Sequence, residues 1–341
     1  MKVETFAVPD NGDVDKGWAL LPSCWGLVAV AFVSTVTRIW VRARLTRNLG
    51  WDDFFISLAM LTTIIGAGFI TAEVLNGLGR HEYYLTPSQR RNFQAVGWAD
   101  WVQIFITLCL TKVSICLFLL RIVDSQQVVR GMYVLIGFMV LFSSVFVFLF
   151  LGICRPLNAY WDVGVSGSCF SNSQVESIVI AQGVLSIVTD LVCAALPYIF
   201  LRNLQINRKT KIGLCILMSL GVITAICCTV RTSLSGAMTD PDLTWAATEN
   251  VGWRLPEVNI GIACANAPIL RALYLFFHGR LSTQKSGSTG LSKERTWPSN
   301  AKAAWLEGSP QFRHESSDAT MSIEMGTPLH NDPDYEGPLK K

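Results

Sequence analysis

The chain has 341 residues, of which 51% are hydrophobic and only 16% are charged, with a formal net charge of +3. A soluble domain carries about 25% charged residues, and 16 of those present here fall in the last 63 positions. The mean hydropathy of +0.39 and long apolar runs exclude a soluble enzyme domain, a coiled coil and a disulfide-stapled scaffold. They indicate a polytopic membrane protein.

Seven apolar segments follow one another along the chain, and each is long enough to cross about 30 Å of hydrocarbon as a helix. Helices are required because backbone polar groups in lipid must be satisfied within the segment. The predicted fold is therefore an all-α membrane protein with a seven-transmembrane helix bundle. The predicted helices are about 18–40, 53–75, 95–120, 131–153, 176–201, 211–234 and 253–277.

Two polar regions flank this predicted membrane domain, 18–278. Residues 1–17 contain acids and are not followed by the pattern of a cleaved signal peptide, so they are predicted to be a short extracellular N-terminus. Residues 279–341 are rich in Ser, Thr, Gly and Pro and lack hydrophobic periodicity. This tail is predicted to be disordered because it cannot bury enough apolar surface to offset the entropy of ordering.

Lys and Arg residues in the short loops predict which side of the membrane each loop faces. The loops after the first, third and fifth helices carry ten of them, against seven on the other side, and the tail adds eight to the larger group. The N-terminus is therefore predicted to lie outside the cell and the C-terminus in the cytoplasm, as in a multi-pass plasma-membrane protein. The ten are Arg38, Arg42, Arg44, Arg47, Arg121, Arg130, Arg202, Arg208, Lys209 and Lys211.

Two of the ten cysteines lie in a polar connection, CRPLNAYWDVGVSGSC, which runs from Cys154 to Cys169 on the predicted outer side. A disulfide is expected between them on the oxidising face of a membrane. The alternative is two free thiols at helix ends. The other eight cysteines lie in apolar segments and are interpreted as small packing residues.

Ionisable residues inside the membrane are costly, so each is a candidate functional position. Lys112 in the third helix and Asp190 in the fifth are predicted to lie at similar depth. We expect an intramembrane ion pair between them, which either only locks the two helices or acts as a switch. A further alternative is that the long Lys112 stem carries its ammonium to the interface.

A second set of polar and aromatic residues falls in the outer third of the third, sixth and seventh helices. We expect these groups to line an open outer mouth that binds a small ligand. The alternative is that the charges pair and hold helices together. The residues are Trp98, Asp100, Trp101, Gln103, Arg231, Arg254 and Glu257.

Several signatures of chemistry are missing from the sequence. The seventh segment, WRLPEVNIGIACANAPILRALYLFF, contains no lysine, so a retinal Schiff base is excluded and no cofactor is expected. The sequence contains no recognisable nucleophile–base or metal-ligand set, so neither enzymatic activity nor a metal is predicted. The small net charge gives no indication of nucleic-acid binding.

Several motifs, taken together and in order, resemble one known family, the fungal rhodopsin-domain family of integral membrane proteins. The resemblance covers roughly 18–280. It implies a rhodopsin-like membrane domain and similarity to receptors of plant pathogens and to membrane proteins of mycotoxin clusters such as the satratoxin cluster. The motifs are RIWVRARLTRNLGWDDFF, GLGRHEYYL, KVSICLFLLRI, CRPLNAYWDVGVSGSC, TDLVCAALPYIFLRNLQINRKTKIGLCILMSLG, Arg231, and Glu257 with APILRAL.

Three functions are expected from these features. The first is a receptor-like sensor that binds a small extracellular ligand and reports to a cytoplasmic signalling partner through its basic loops and tail. The second is a non-enzymatic accessory or transport protein of a secondary-metabolite cluster. The third is a membrane scaffold without a ligand.

Overall fold

The computed structural model describes residues 12–121, 125–162, 164–203, 208–240 and 242–285. This part of the chain forms seven long helices, and the predicted all-α membrane architecture is confirmed. They are α1 (Gly17–Trp40), α2 (Trp51–Leu75), α3 (Pro87–Leu120), α4 (Gln126–Leu151), α5 (Asn172–Asn203), α6 (Arg208–Ser233) and α7 (Leu243–Lys285).

Six of the described helices contain a stretch that is long and apolar enough to cross a membrane, namely α1 to α6. The described part of α7 is less apolar because Arg254, Glu257, Asn259 and Asn266 interrupt it. All four of these side chains are buried. The polar side chains of α7 therefore face other helices, as is required of ionisable groups at membrane depth.

The helices close into a bundle because α7 packs against α1 as well as α6. Each helix packs against the next in the chain, while α7 also contacts α2 and α3, and α3 contacts α5. The main apolar core lies between these helices and includes Cys24, Ile56, Phe105, Val179 and Ile262. Most of the surface of α4 faces outward.

The connection between α4 and α5 marks one end of the bundle, here called the disulfide end. A disulfide joins Cys154 to Cys169, so the predicted bridge is confirmed. Strands β1 (Cys154–Arg155) and β2 (Ser168–Cys169) pair antiparallel beside it. The connections α2–α3 and α6–α7 lie at the same end, whereas α1–α2 and α3–α4 lie at the opposite end.

Two helices begin well before their predicted starts. α3 begins at Pro87 because Thr86 caps it: the Gln89 N–H donates to Thr86 Oγ1 at 3.3 Å, and Gln89 Oε1 accepts from the Thr86 N–H at 3.1 Å. Such a capping box with proline in the first turn is a strong start signal. α7 likewise begins at Leu243 rather than at about 253. Both extensions are polar, which is why hydropathy did not predict them.

The ends of the predicted domains are only partly described. α7 continues to Lys285, seven residues beyond the predicted boundary at 278, and no proline occurs between Pro268 and Pro298 to stop it there. The remainder of the predicted tail, 286–341, lies outside the described residues. The same is true of residues 1–11 in the predicted N-terminal segment.

The α2–α3 connection closes the disulfide end over α1 and α7. The Gly79 N–H donates to the Thr244 carbonyl at 3.0 Å, and the Gly79 carbonyl accepts from the Lys16 N–H at 3.0 Å. Glycine is required here because its φ is +93° and a Cβ would lie 2.2 Å from the Gly17 nitrogen. Backbone hydrogen bonds to the α2–α3 connection thus hold the start of α7 in place, although hydropathy predicts only an irregular loop there.

Candidate functional site

The first buried ion pair of the core joins α3 to α5. Lys112 Nζ lies 3.1 Å from Asp190 Oδ1, and the two side chains are 10% and 12% exposed. The same ammonium donates to Ser186 O at 2.9 Å, to Ser186 Oγ at 2.8 Å and to Thr189 Oγ1 at 2.8 Å. Its three N–H donors are therefore satisfied inside the bundle. Lys112 does not extend toward the membrane interface.

The second buried ion pair joins α6 to α7 and is more deeply enclosed. Arg231 Nε donates to Glu257 Oε2 at 2.6 Å, and each side chain is 1% exposed. Arg231 Nη2 also donates to Gln182 Oε1 of α5 at 3.2 Å. The other carboxylate oxygen, Glu257 Oε1, is buried and has no hydrogen-bond partner among the described residues. One buried acceptor therefore remains unused, which is costly in a low-dielectric interior.

A small cavity lies between these two ion pairs. It has a volume of about 40 Å³, and Lys112, Asp190 and Glu257 are part of its wall together with Thr111 and Thr224. A cavity of that size holds one or a few water molecules. The cavity therefore brings charged groups of α3, α5 and α7 together around a space that is too small for an organic ligand.

A third buried group lies nearer the disulfide end. Arg254 of α7 forms a salt bridge with Asp100 of α3, and its Cζ lies 5.9 Å from the centre of the Trp101 ring. Arg254 and Asp100 are 3% and 2% exposed. Glu73 of α2 is buried beside them at 4%. Sequence reasoning missed Glu73 because a lone acid near the end of an apolar segment is typical of a helix boundary.

The open mouth expected from the sequence is not formed by its charged members. Asp100, Arg231, Arg254 and Glu257 are all buried because each is paired with a charge of opposite sign on another helix. They also separate into two groups, with Asp100 and Arg254 in one and Arg231 and Glu257 in the other. The expectation that these charges face an open outer space is therefore corrected.

The uncharged members of the predicted mouth, Trp98, Trp101 and Gln103, are half-buried. Trp98 Nε1 donates to the Phe150 carbonyl of α4 at 2.8 Å. Gln103 Nε2 donates to the Thr62 carbonyl of α2 at 2.6 Å. These residues join α3 to its two neighbours, and the two tryptophans keep part of their ring surface accessible.

A further charged cluster, absent from the sequence-based site predictions, links α1, α2 and α7 at the end of the bundle opposite the disulfide end. Arg38 of α1 donates to Asp52 Oδ2 at 2.5 Å and to Asp53 Oδ1 at 2.8 Å, both at the start of α2. Its Nη1 donates to the Ala265 carbonyl of α7 at 2.6 Å, and Arg42 bridges the same two aspartates. The signal was the WDD sequence after the arginine run, but the arginines were assigned to a loop.

The described residues contain no group of three or more His, Cys, Asp or Glu side chains arranged to hold a metal ion. The ionisable groups of the core instead form pairs and clusters that link helices. What such an arrangement can do chemically is to exchange hydrogen-bond partners and to bind water or protons.

Comparison with known proteins identifies relatives of this chain. The SAT4 family membrane protein of Emericella nidulans is 26% identical over 260 residues, which cover 72% of this chain and 62% of that protein. The chain thus spans less than two thirds of that relative's length. Wortmanamides biosynthesis cluster protein C of Talaromyces wortmannii is 25% identical over 289 residues, covering 82% of this chain and 77% of that protein. Receptor GIN3 of Arthrobotrys oligospora is 21% identical over 303 residues, covering 82% and 70%.

No solved structure matches the chain. The fungal rhodopsin domain matches residues 37–275, a range that begins near the end of α1 and ends within α7. The match includes both ion pairs of the core, the Asp100–Arg254 pair and the disulfide loop. With its six described apolar helices, the chain is a multi-pass membrane protein that belongs to the fungal rhodopsin domain family.

Proposed function

We propose that this protein is a receptor-like membrane protein that senses a small extracellular molecule and responds by rearranging the charged pairs in its core. The observation that carries this proposal is the cavity between Lys112–Asp190 and Arg231–Glu257. Four helices, α3, α5, α6 and α7, each contribute one charge to these pairs. A shift of any one of these helices changes a buried ion pair.

The arrangement supports switching because Lys112 lines the same cavity as the acids of both pairs, Asp190 and Glu257. Breaking a buried ion pair by removing one partner costs about 3–5 kcal/mol, and a charge that finds a new partner avoids most of that cost. Glu257 Oε1 is an unused acceptor, and Glu257 and Asp190 line the same cavity. Lys112 could therefore move between the two carboxylates, which gives the bundle two discrete arrangements of its core.

The ligand is proposed to contact the disulfide end rather than the core cavity. The cavity of about 40 Å³ admits only water, whereas Trp98 and Trp101 keep accessible ring surface at the disulfide end. Aromatic surface of this kind favours a molecule with apolar or planar groups. This direction of signalling rests on the N-out orientation and on a plasma-membrane location. The basic loops and the tail are the proposed contacts of a cytoplasmic partner, and no cofactor or enzymatic step is invoked.

The comparisons give support to two functions. A relative of this chain is named a receptor, which favours sensing. Another is named as a protein of a biosynthesis cluster, which favours the second candidate, a non-enzymatic accessory or transport role in secondary metabolism. In that second case the ion pairs would only stabilise the bundle.

A gene deletion with matched complementation tests the proposal. The deletion strain receives wild-type protein, Glu257→Gln, or Glu249→Gln, in which an exposed acid of the same helix undergoes the same chemical change. Transcription is recorded after exposure to host or culture extracts, and secreted metabolites are profiled. We expect the deletion to abolish a transcriptional response that Glu249→Gln restores and Glu257→Gln, at equal membrane abundance, does not. An unchanged response with a loss of one secreted metabolite would instead support the accessory role.

A further inference from the structure

The charged group near the disulfide end contains more acid than base. Glu73 of α2, Asp100 of α3 and Arg254 of α7 are 4%, 2% and 3% exposed. Two carboxyl groups therefore share a buried site with one guanidinium group. If both acids were ionised, the site would hold one uncompensated negative charge inside the bundle.

The geometry shows which carboxyl the guanidinium neutralises. Arg254 Nη1 forms the salt bridge with Asp100 Oδ2, whereas the buried Arg254 Nη2 has no hydrogen-bond partner among the described residues. The Glu73 carboxyl forms no hydrogen bond or ion pair with a described side chain. A Cβ built on Gly97, one turn before Asp100 on α3, would lie 3.5 Å from Glu73 Oε1. Glu73 thus faces the same side of α3 as Asp100.

Among the residues that the structure describes, the helices that pack around this site supply no second cation. Besides Glu73, Asp100 and Arg254, the titratable group that faces the site from α1 is the buried thiol of Cys24, and Trp101 adds an aromatic ring. An ionised carboxylate without a partner costs several kcal/mol in such surroundings, and a group in that position usually becomes neutral instead. Two carboxyl groups that share one site commonly hold one proton between them.

We propose that Glu73 and Asp100 form a proton-binding site, in which Asp100 is ionised against Arg254 and Glu73 holds the proton. Release of this proton leaves Arg254 between two carboxylates, and its unused Nη2 is the donor that the Glu73 carboxylate would then attract. Proton binding is therefore coupled to the position of α7 relative to α2 and α3. This site shares no residue with the two core ion pairs, so a test of proton binding here is independent of a test of the proposed function.

Infrared spectroscopy of the purified full-length protein in detergent tests this site directly, because a protonated carboxyl group has its own C=O stretch. At pH 7 we expect wild-type protein to show such a band. It should shift when the protein is labelled with glutamate carrying ¹³C in its carboxyl groups, and it should be lost in Glu73→Gln. Glu249→Gln should keep it. The isotope label needs no variant, so the test survives if Glu73→Gln fails to fold.

Stability measurements supply a second readout. Glu73→Gln replaces a neutral acid by a neutral amide, so its melting temperature at pH 7 should stay close to that of wild type. Asp100→Asn should lower it because Arg254 loses its partner. Since the folded state holds the proton, wild-type stability should fall as the pH rises, and Glu73→Gln should lose that dependence.

A missing band at pH 7, or a band that the glutamate label does not shift, overturns the proposal. Stabilisation by NaCl but not by choline chloride, without the band, would assign the charge compensation to a metal cation and overturn it equally.

Discussion

Arg254 and Glu257 lie one turn apart on α7, yet their side chains pair with different helices. Arg254 forms a salt bridge with Asp100 of α3, and Glu257 accepts from Arg231 of α6 at 2.6 Å. Because both are buried, α7 cannot rotate without disturbing an ion pair on one side or the other. This helix is therefore the element through which a change at the disulfide end would reach the core.

The Lys112–Asp190 pair should show measurable energetic coupling. Asp190→Asn leaves the ammonium without its anion, and Lys112→Met leaves the carboxylate without its cation, so each change should lower the free energy of unfolding in detergent. The double variant should lose less unfolding free energy than the sum of the two single losses, by about 1 kcal/mol or more, because neither an unpaired ammonium nor an unpaired carboxylate remains buried. Strictly additive losses would mean that the two charges do not stabilise each other, despite their separation of 3.1 Å.

The Arg38 cluster should be more sensitive to side-chain geometry than to charge. Arg38 donates from Nε to Asp53, from Nη1 to the Ala265 carbonyl and from Nη2 to Asp52. A planar guanidinium holds these donors in a fixed fork, whereas an ammonium gathers its three donors on a single nitrogen and cannot reach all three acceptors in the same geometry. Arg38→Gln should lower the free energy of unfolding by about 3–5 kcal/mol, and Arg38→Lys should fall between Gln and wild type. Arg44→Lys, at an exposed position nearby, is the control and should change little. Equal effects of the two lysine variants would contradict the assignment.

The Cys154–Cys169 disulfide should stabilise the disulfide end by constraining the unfolded chain. For a loop of this length the chain-entropy model gives about 3 kcal/mol. Cys154→Ser, Cys169→Ser and the double variant should therefore lose similar stability, and a reductant should lower the melting temperature of wild type alone. Alkylation of both cysteines in unreduced protein would refute the bridge.

The N-out orientation is a prediction from the distribution of Lys and Arg in the loops. In intact cells, a reporter fused to the C-terminus should resist added protease, whereas an epitope inserted between Gly164 and Gly167 should be cleaved. The reverse pattern would place the disulfide end in the cytoplasm. A receptor for an extracellular ligand would then be excluded at this end.

The helices were predictable from the sequence because bilayer thickness sets both their length and their hydropathy. The polar first turns of α3 and α7 were not predictable in this way. The cap that Thr86 provides to α3, for example, does not change the hydropathy of the segment. Lys112 and Asp190 could be matched because each lies at membrane depth and needs a partner.

Other relationships depended on which face of each helix turns inward. The Arg254–Asp100 pair and the proximity of Glu73 require the packing of three helices, which periodicity alone does not supply. Arg38 and Asp52 are 14 residues apart, and both were assigned to the loop between the first two helices. In the structure they meet because a helical turn, Val41–Thr46, continues α1 into that loop.

The central claim is that the two core pairs act as one unit across their shared cavity, and a double-mutant cycle between Asp190 and Glu257 tests it most directly. Asp190→Asn removes the partner of Lys112 but leaves the Glu257 carboxylate at the cavity, and Glu257→Gln removes the partner of Arg231 but leaves the Asp190 carboxylate there. In each single variant the remaining carboxylate can partly compensate the unpaired cation. The double variant leaves Lys112 and Arg231 with neither. Its loss of unfolding free energy should therefore exceed the sum of the single losses by about 1 kcal/mol or more, whereas additivity within about 0.5 kcal/mol would show that the pairs are independent and contradict the account.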